Sequence, residues 1–169
     1  MAQGILITGP IGAGKTTTLH EIEAVLDVPN AILDLDWLAW ASPVRGTAHD
    51  LMLRNLADVW RNVREAGIAH VAMARMLVDP GEIADVQAAL AGCDVVVVEL
   101  ALGADELRER IRRRDSGVEL EEHLALIDRW EPVGADVVIQ TVGKQPGQVA
   151  RDVLGAAGWP LPSSRQGPA

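Results

Sequence analysis

The chain has 169 residues, 49% of them hydrophobic, which suits one compact domain that buries its core without staples and leaves no room for a second catalytic domain. A formal charge of -9 argues against the broad basic surface that long DNA or RNA requires, and no stretch approaches the ~18 consecutive apolar residues of a membrane span. A single cysteine, Cys93, excludes an internal disulfide and reads as a buried thiol, so the expectation is a cytoplasmic protein, monomer or homodimer, with neither membrane nor long nucleic acid as partner.

From the N-terminus, Ile5–Thr8 reads as a strand and runs directly into Gly9-Pro10-Ile11-Gly12-Ala13-Gly14-Lys15-Thr16. This fits the phosphate-cradling pattern G-x-x-x-x-G-K-[ST], and it stands between a strand and a helix, where the chemistry requires it. The glycines let backbone N–H groups turn onto an anion, and the helix opened by Lys15, Thr16 and Thr17 aims its positive end at the phosphates. Lys15 adds a mobile charge, and the Thr16 hydroxyl is placed for Mg²⁺. A Gly-rich connection with no ligand is the bland alternative, and the Lys-Thr pair with both flanks in place argues for a nucleoside triphosphate.

Ala31–Asp34 reads as the second strand, ending in Asp34-Leu35-Asp36. Two carboxylates beyond a strand end have clear uses beside a triphosphate: Asp34 as a ligand to Mg²⁺ or its waters, Asp36 as the group that orients or deprotonates an attacking hydroxyl. Solvated acids in a connection are the alternative. Trp37 and Trp40 follow, either lining an acceptor pocket or filling core; Arg45, Arg54 and Trp60 match no motif.

A helical pattern over His49–Glu65 leads to a third strand, Ala69–Ala74, with Arg75 at its end as either a substrate contact or a surface ion-pair partner. Pro80–Ala91 reads as helix, and Val95–Leu100 as the fourth strand. Ala104–Arg114 follows as a helix carrying Arg108, Arg110, Arg112, Arg113 and Arg114 within seven residues. Leu107 and Ile111 mark its buried stripe, and Glu106–Arg110 and Glu109–Arg113 are ordinary i, i+4 pairs. Arg113 and Arg114, at the helix end, are placed to swing onto a phosphate and neutralise charge during transfer. Further helices are expected at Glu119–Arg129 and Pro146–Ala156, with a last strand at Val137–Thr141. His20, His49, His70 and His123 show no metal-ligand spacing and read as structural. Continuous Val, Ile and Leu strands alternating with helices define an α/β three-layer domain with a parallel sheet buried on both faces.

Taken in this order, the phosphate loop, second-strand aspartates, arginine-rich helix and final strand resemble the P-loop small-molecule and nucleotide kinases, a group that includes shikimate, gluconate, adenylylsulfate and adenylate kinases. The resemblance spans most of residues 4–158. It implies the P-loop NTPase fold, a five-stranded parallel sheet in the order 2-3-1-4-5, a short lid near 112–120, and transfer of the γ-phosphate of Mg-ATP to a hydroxyl or phosphate of a small metabolite. By the same resemblance, Arg110 belongs to the nucleotide site, and Gly143-Lys144-Gln145-Pro146 is similar to the loop whose backbone holds adenine. Residues 159–169 read as a flexible tail. Met73-Ala74-Arg75 departs from the acidic or glycine-rich end of the third strand in those branches, so no acceptor is carried across. The competing readings are a switch or motor ATPase, with Val95-Val96-Val97-Val98-Glu99 as its metal-binding strand, and a regulator that binds nucleotide without transferring phosphate.

Overall fold

A computed structural model describes residues 1–39 and 48–161; Trp40 and Arg45 lie outside the described residues. The element order is β1 (Ala2–Thr8), α1 (Lys15–Val25), β2 (Asn30–Asp34), α2 (Leu35–Leu38), α3 (Ala48–Glu65), β3 (His70–Ala74), α4 (Gly81–Ala89), β4 (Cys93–Ala101), α5 (Ala104–Arg114), α6 (Gly117–Arg129), β5 (Val137–Gln140) and α7 (Pro146–Ala156). The strands form one sheet in the order β2-β3-β1-β4-β5, and every pairing is parallel.

Successive residues of a strand point to opposite faces, and β1 shows what covers each. Ile5 and Ile7 join Leu19, Ile22, Leu107, Ile111 and Val153, so this face is packed by α1, α5 and α7. Leu6, on the opposite face, joins Leu35, Met52, Leu56, Trp60 and Val86, which come from α2, α3 and α4. Burial on both faces is why the strands read as continuous apolar runs. Met52, Leu56 and Trp60 form the buried stripe of α3, and the Trp60 indole Nε1–H donates to the Ala91 carbonyl at 3.1 Å.

Helix ends follow their local chemistry. α5 opens with Asp105 and Glu106 and closes with Arg112, Arg113 and Arg114, which complements the helix dipole at both ends. α7 carries a capping box between Gln145 and Gln148 with a proline in its first turn. Asp34 ends β2 because its Oδ1 accepts from the Asp36 N–H at 3.2 Å, which starts the short α2 absent from the sequence reading.

Two segments differ from expectation in detail. Around 112–120, where a short lid is expected, α5 runs to Arg114 and α6 starts at Gly117, leaving Asp115 and Ser116 as the whole joint. Trp159, assigned to the tail, is 3% exposed and stacks edge-on against His70 with ring centroids 4.9 Å apart, so the packed body extends past residue 158.

Candidate active site

The carboxyl ends of β1, β2 and β3 bring the distinctive residues together. Gly9 leaves β1 at φ +135°, and a Cβ there would lie 2.5 Å from the Leu100 carbonyl oxygen of β4, so any larger residue would force the strands apart. Gly14 caps α1 at φ +97°, with no side-chain cap and no acidic residue in the first turn. The first amide to reach back along α1 is that of Thr18, which donates to the Gly14 carbonyl at 2.9 Å; those of Lys15, Thr16 and Thr17 precede it and have no intrahelical acceptor. Uncapped amides with no local carboxylate are what an anion site at a helix start needs.

Lys15 is folded along the loop, its Nζ donating to the carbonyls of Gly9 and Pro10 at 3.0 Å each. Burial lowers its pKa to about 8, and the Arg114 charge pushes the same way, against the opposing pull of Asp36 and Asp34. The Thr16 hydroxyl donates to Asp34 Oδ2 at 3.0 Å. A hydroxyl and a carboxylate side by side at the start of α1 are an all-oxygen donor set that suits a hard divalent cation.

Gly12, Gly14, Lys15, Thr16 and Thr17 line one side of a cleft of about 490 Å³, Asp36, Arg110, Arg114 and His123 supply its other polar groups, and Ile11 and Ile111 complete its lining. Asp36 sits at the mouth, 68% exposed, with Arg75 Nη1 at 3.4 Å from its Oδ1. Partial burial raises the Asp36 pKa above the ordinary carboxylate value; Asp34 and Glu82 act in the same direction, and Arg75 and Lys15 oppose them. Arg75 is 17% exposed, its backbone N–H donates to the Ile7 carbonyl at 3.1 Å, and its buried Nε has no hydrogen-bond partner among the described residues. Nearby on the same side, Glu82 accepts from the Val78 N–H, and His49 Nε2 lies 3.0 Å from Asp85 Oδ2.

A second hollow adjoins the first and shares Gly14, Thr17 and Arg110 with it; Ala13, Thr18, Thr141, Lys144, Pro146 and Val149 complete its wall. Arg110 bridges the two, reaching the Gly12 carbonyl at 3.5 Å and Glu106 Oε1 at 3.1 Å. Lys144 is tied to Asp152 at 2.8 Å. Gly143 and Gln145 are not among the lining residues, and Gln145 is engaged in the cap of α7.

The other sequence candidates are placed as follows. Arg113 does not reach the cleft: its side chain is 73% exposed and pairs with Glu109 on the same helix. Arg108 ties α5 to α6 through Asp105 and Asp128. Trp37, for which core packing was the blander reading, is instead 67% exposed beside Asp36. Asp34 does not line the cleft itself and touches it through Thr16 and the Asp36 N–H. Cys93 is partly buried, and burial pushes its thiol pKa up to about 11, which leaves it a poor nucleophile. Glu99 is 4% exposed in β4, burial raises its pKa, and it does not line the cleft. His123, read as structural, is the residue the sequence reading missed; it reaches the cleft from α6 across the two-residue joint, and no spacing in the sequence marks it.

This fold, with its sheet order β2-β3-β1-β4-β5, is shared with solved structures that include small-molecule kinases. The structure of the tunicamycin resistance protein of Deinococcus radiodurans is similar at a TM-score of 0.68 and 20% identity, over 96% of this chain and 99% of that one. A gluconokinase of Sinorhizobium meliloti aligns at 0.65 and 16%, over 93% and 92%. The APS kinase of Mycobacterium tuberculosis, in complex with AMPPNP and APS, aligns at 0.65 and 16%, over 92% and 96%. No protein-family model matches the chain. Among the described residues, no helix is long and apolar enough to cross a membrane.

Proposed function

We propose that the chain is an ATP-dependent phosphotransferase that moves the γ-phosphate of Mg-ATP to a hydroxyl or phosphate oxygen of a small metabolite. The observation that carries this reading is the placement of Asp36, a carboxylate with a raised pKa and an arginine neighbour, in the same cleft as Lys15 and the open amides of α1. A nucleotide-binding switch needs the second feature but not the first.

In this reading, the amides at the start of α1 and Lys15 cradle the β- and γ-phosphates, and Thr16 with Asp34 holds Mg²⁺, which supplies charge neutralisation when bound. The hollow beside Lys144, Pro146 and Val149 takes the base. Asp36 accepts the acceptor proton as the acceptor oxygen bonds to phosphorus and the bond to the β-phosphate oxygen breaks, releasing ADP. Arg75 keeps Asp36 ionised and aligned, and Arg110 and Arg114 offset charge on the phosphates. The buried position of Glu99, outside the cleft, disfavours the competing ATPase reading.

The test is a metabolite-library thermal-shift screen with AMP-PNP and Mg²⁺ present, since a true ligand stabilises by mass action, followed by ADP release with each hit. Metabolite-dependent ADP release is expected. Slow hydrolysis that no metabolite alters would overturn the transferase reading in favour of a switch.

A further inference from the structure

Asp115, in the joint between α5 and α6, is shielded in a way that the other acids paired with α5 arginines are not. Its side chain is 4% exposed, against 60% for Glu109, 61% for Asp128 and 104% for Asp105. Arg114 Nε donates to Asp115 Oδ1 at 2.6 Å and Nη2 donates to Oδ2 at 2.9 Å, while His123 Nδ1 lies 2.7 Å from that same Oδ2. A ring nitrogen this close to a carboxylate oxygen must carry the hydrogen, so Nδ1–H donates to Asp115. The 3.3 Å approach of Arg114 Nη2 to His123 Nδ1 is then two donors meeting at one shared acceptor. Asp115 stays a carboxylate at any working pH, its pKa held at about 2 by the Arg114 hydrogen bonds, with His123 adding to the effect.

The side-on grip engages Nε and Nη2, and among the described residues both Nη1 hydrogens of Arg114 are uncommitted. Arg114 and His123 line the cleft with Lys15 and Asp36, whereas Arg113, one residue earlier, does not. An arginine held by a shielded carboxylate has already lost the rotamer freedom that binding a phosphate would otherwise remove. Glu119, whose charge also acts on Arg114, joins Asp115 and His123 in a group with ligand atoms within 4.8 Å of one another. A cation there would have to displace the guanidinium, so the group is better occupied by Arg114 itself.

We propose that Asp115 and His123 form a positioning pair that fixes Arg114 as the arginine of this cleft that senses the γ-phosphate. The proposal rests on the nucleotide reading above and assigns roles to two residues that no motif marks. Asp115 acts through Arg114, and His123 acts through Asp115.

Titration calorimetry of the full chain with Mg·AMP-PNP and with Mg·ADP tests it without knowledge of the acceptor. Wild type is expected to prefer AMP-PNP, and Arg114→Ala to lose most of that preference. Asp115→Asn and His123→Gln should each cut it, Asp115→Asn by roughly fivefold or more, with ADP affinity held within about twofold. In the Arg114→Ala background, Asp115→Asn should change the ratio no further. Arg113→Ala should keep the wild-type ratio. The proposal falls if wild type has no preference for AMP-PNP, if Asp115→Asn keeps the full preference or weakens both nucleotides alike, or if the two effects add. Failure of wild type to bind either nucleotide would sink the nucleotide reading, and this proposal with it, whereas a preference lost in Arg114→Ala but kept in Asp115→Asn would sink this proposal alone.

Discussion

On the Gly9–Thr16 side of the cleft, much of the surface is backbone: the turn held open by Gly9 and Gly14 and the first amides of α1, with Lys15 laid along the loop carbonyls. Across the cleft, beyond β2 and β3, side chains take over: Asp36 from α2 lines the cleft, and Arg75 from the end of β3, with Glu82 and His49 on α4 and α3, stands outside its lining. A backbone site depends on a short contiguous motif. A side-chain cluster assembled from separate elements leaves no contiguous trace in the chain.

The contrast predicts that single substitutions on the two sides fail differently, and the largest effect should come from the one side chain the backbone site depends on. Lys15→Ala should reduce turnover by roughly a thousandfold or more while the protein still melts cooperatively, because its charge serves phosphates and its burial as a cation gives the fold little. Activity near wild type would remove the phosphate-loop assignment.

Asp36→Asn should lower kcat by roughly a hundredfold and leave AMP-PNP affinity within about twofold. A general base must be ionised, so activity should fall as pH drops through the Asp36 pKa. Because burial raises that pKa, the acid limb of the profile should lie above the ordinary carboxylate position, and Asp36→Asn should lose the limb altogether. A loss confined to nucleotide binding would move Asp36 to the other side of the cleft.

Lys15 supplies a finer test by pH. Its folded pKa of about 8 lies below the ordinary 10.5, so between those values the unfolded chain binds more protons, and Lys15 makes stability rise with pH. Phosphates favour the charged form, so nucleotide affinity should fall above about pH 8 and binding should take up a proton there. Calorimetry at alkaline pH in buffers of different ionisation enthalpy reads that uptake directly, and no uptake would detach Lys15 from the phosphates. The smallest effect is expected at Arg113: its exposed pair with Glu109 contributes about 0.3–0.5 kcal/mol, and Arg113→Ala should leave kinetics unchanged. A drop in kcat would bring Arg113 back to the cleft.

The sequence by itself determined the parallel sheet, the phosphate loop and the identity of most helices, because each is written in contiguous residues: apolar runs for strands buried on both faces, Gly9 to Thr16 for the turn, Leu107 and Ile111 for the face of α5. Strand ends, which open onto one edge in such sheets, also singled out Asp34, Asp36 and Arg75, and the arginine run of α5 offered Arg110, Arg113 and Arg114. Only the tertiary structure separated Arg114 from Arg113. The two are adjacent in a run of charge, and about 100° of helical rotation, together with a two-residue joint that returns α6 alongside, turns one toward Asp115, His123 and the cleft and the other toward solvent. The same holds for Arg75 beside Asp36 and for His123, whose neighbours are fixed by sheet order and helix packing, which no spacing along the chain records.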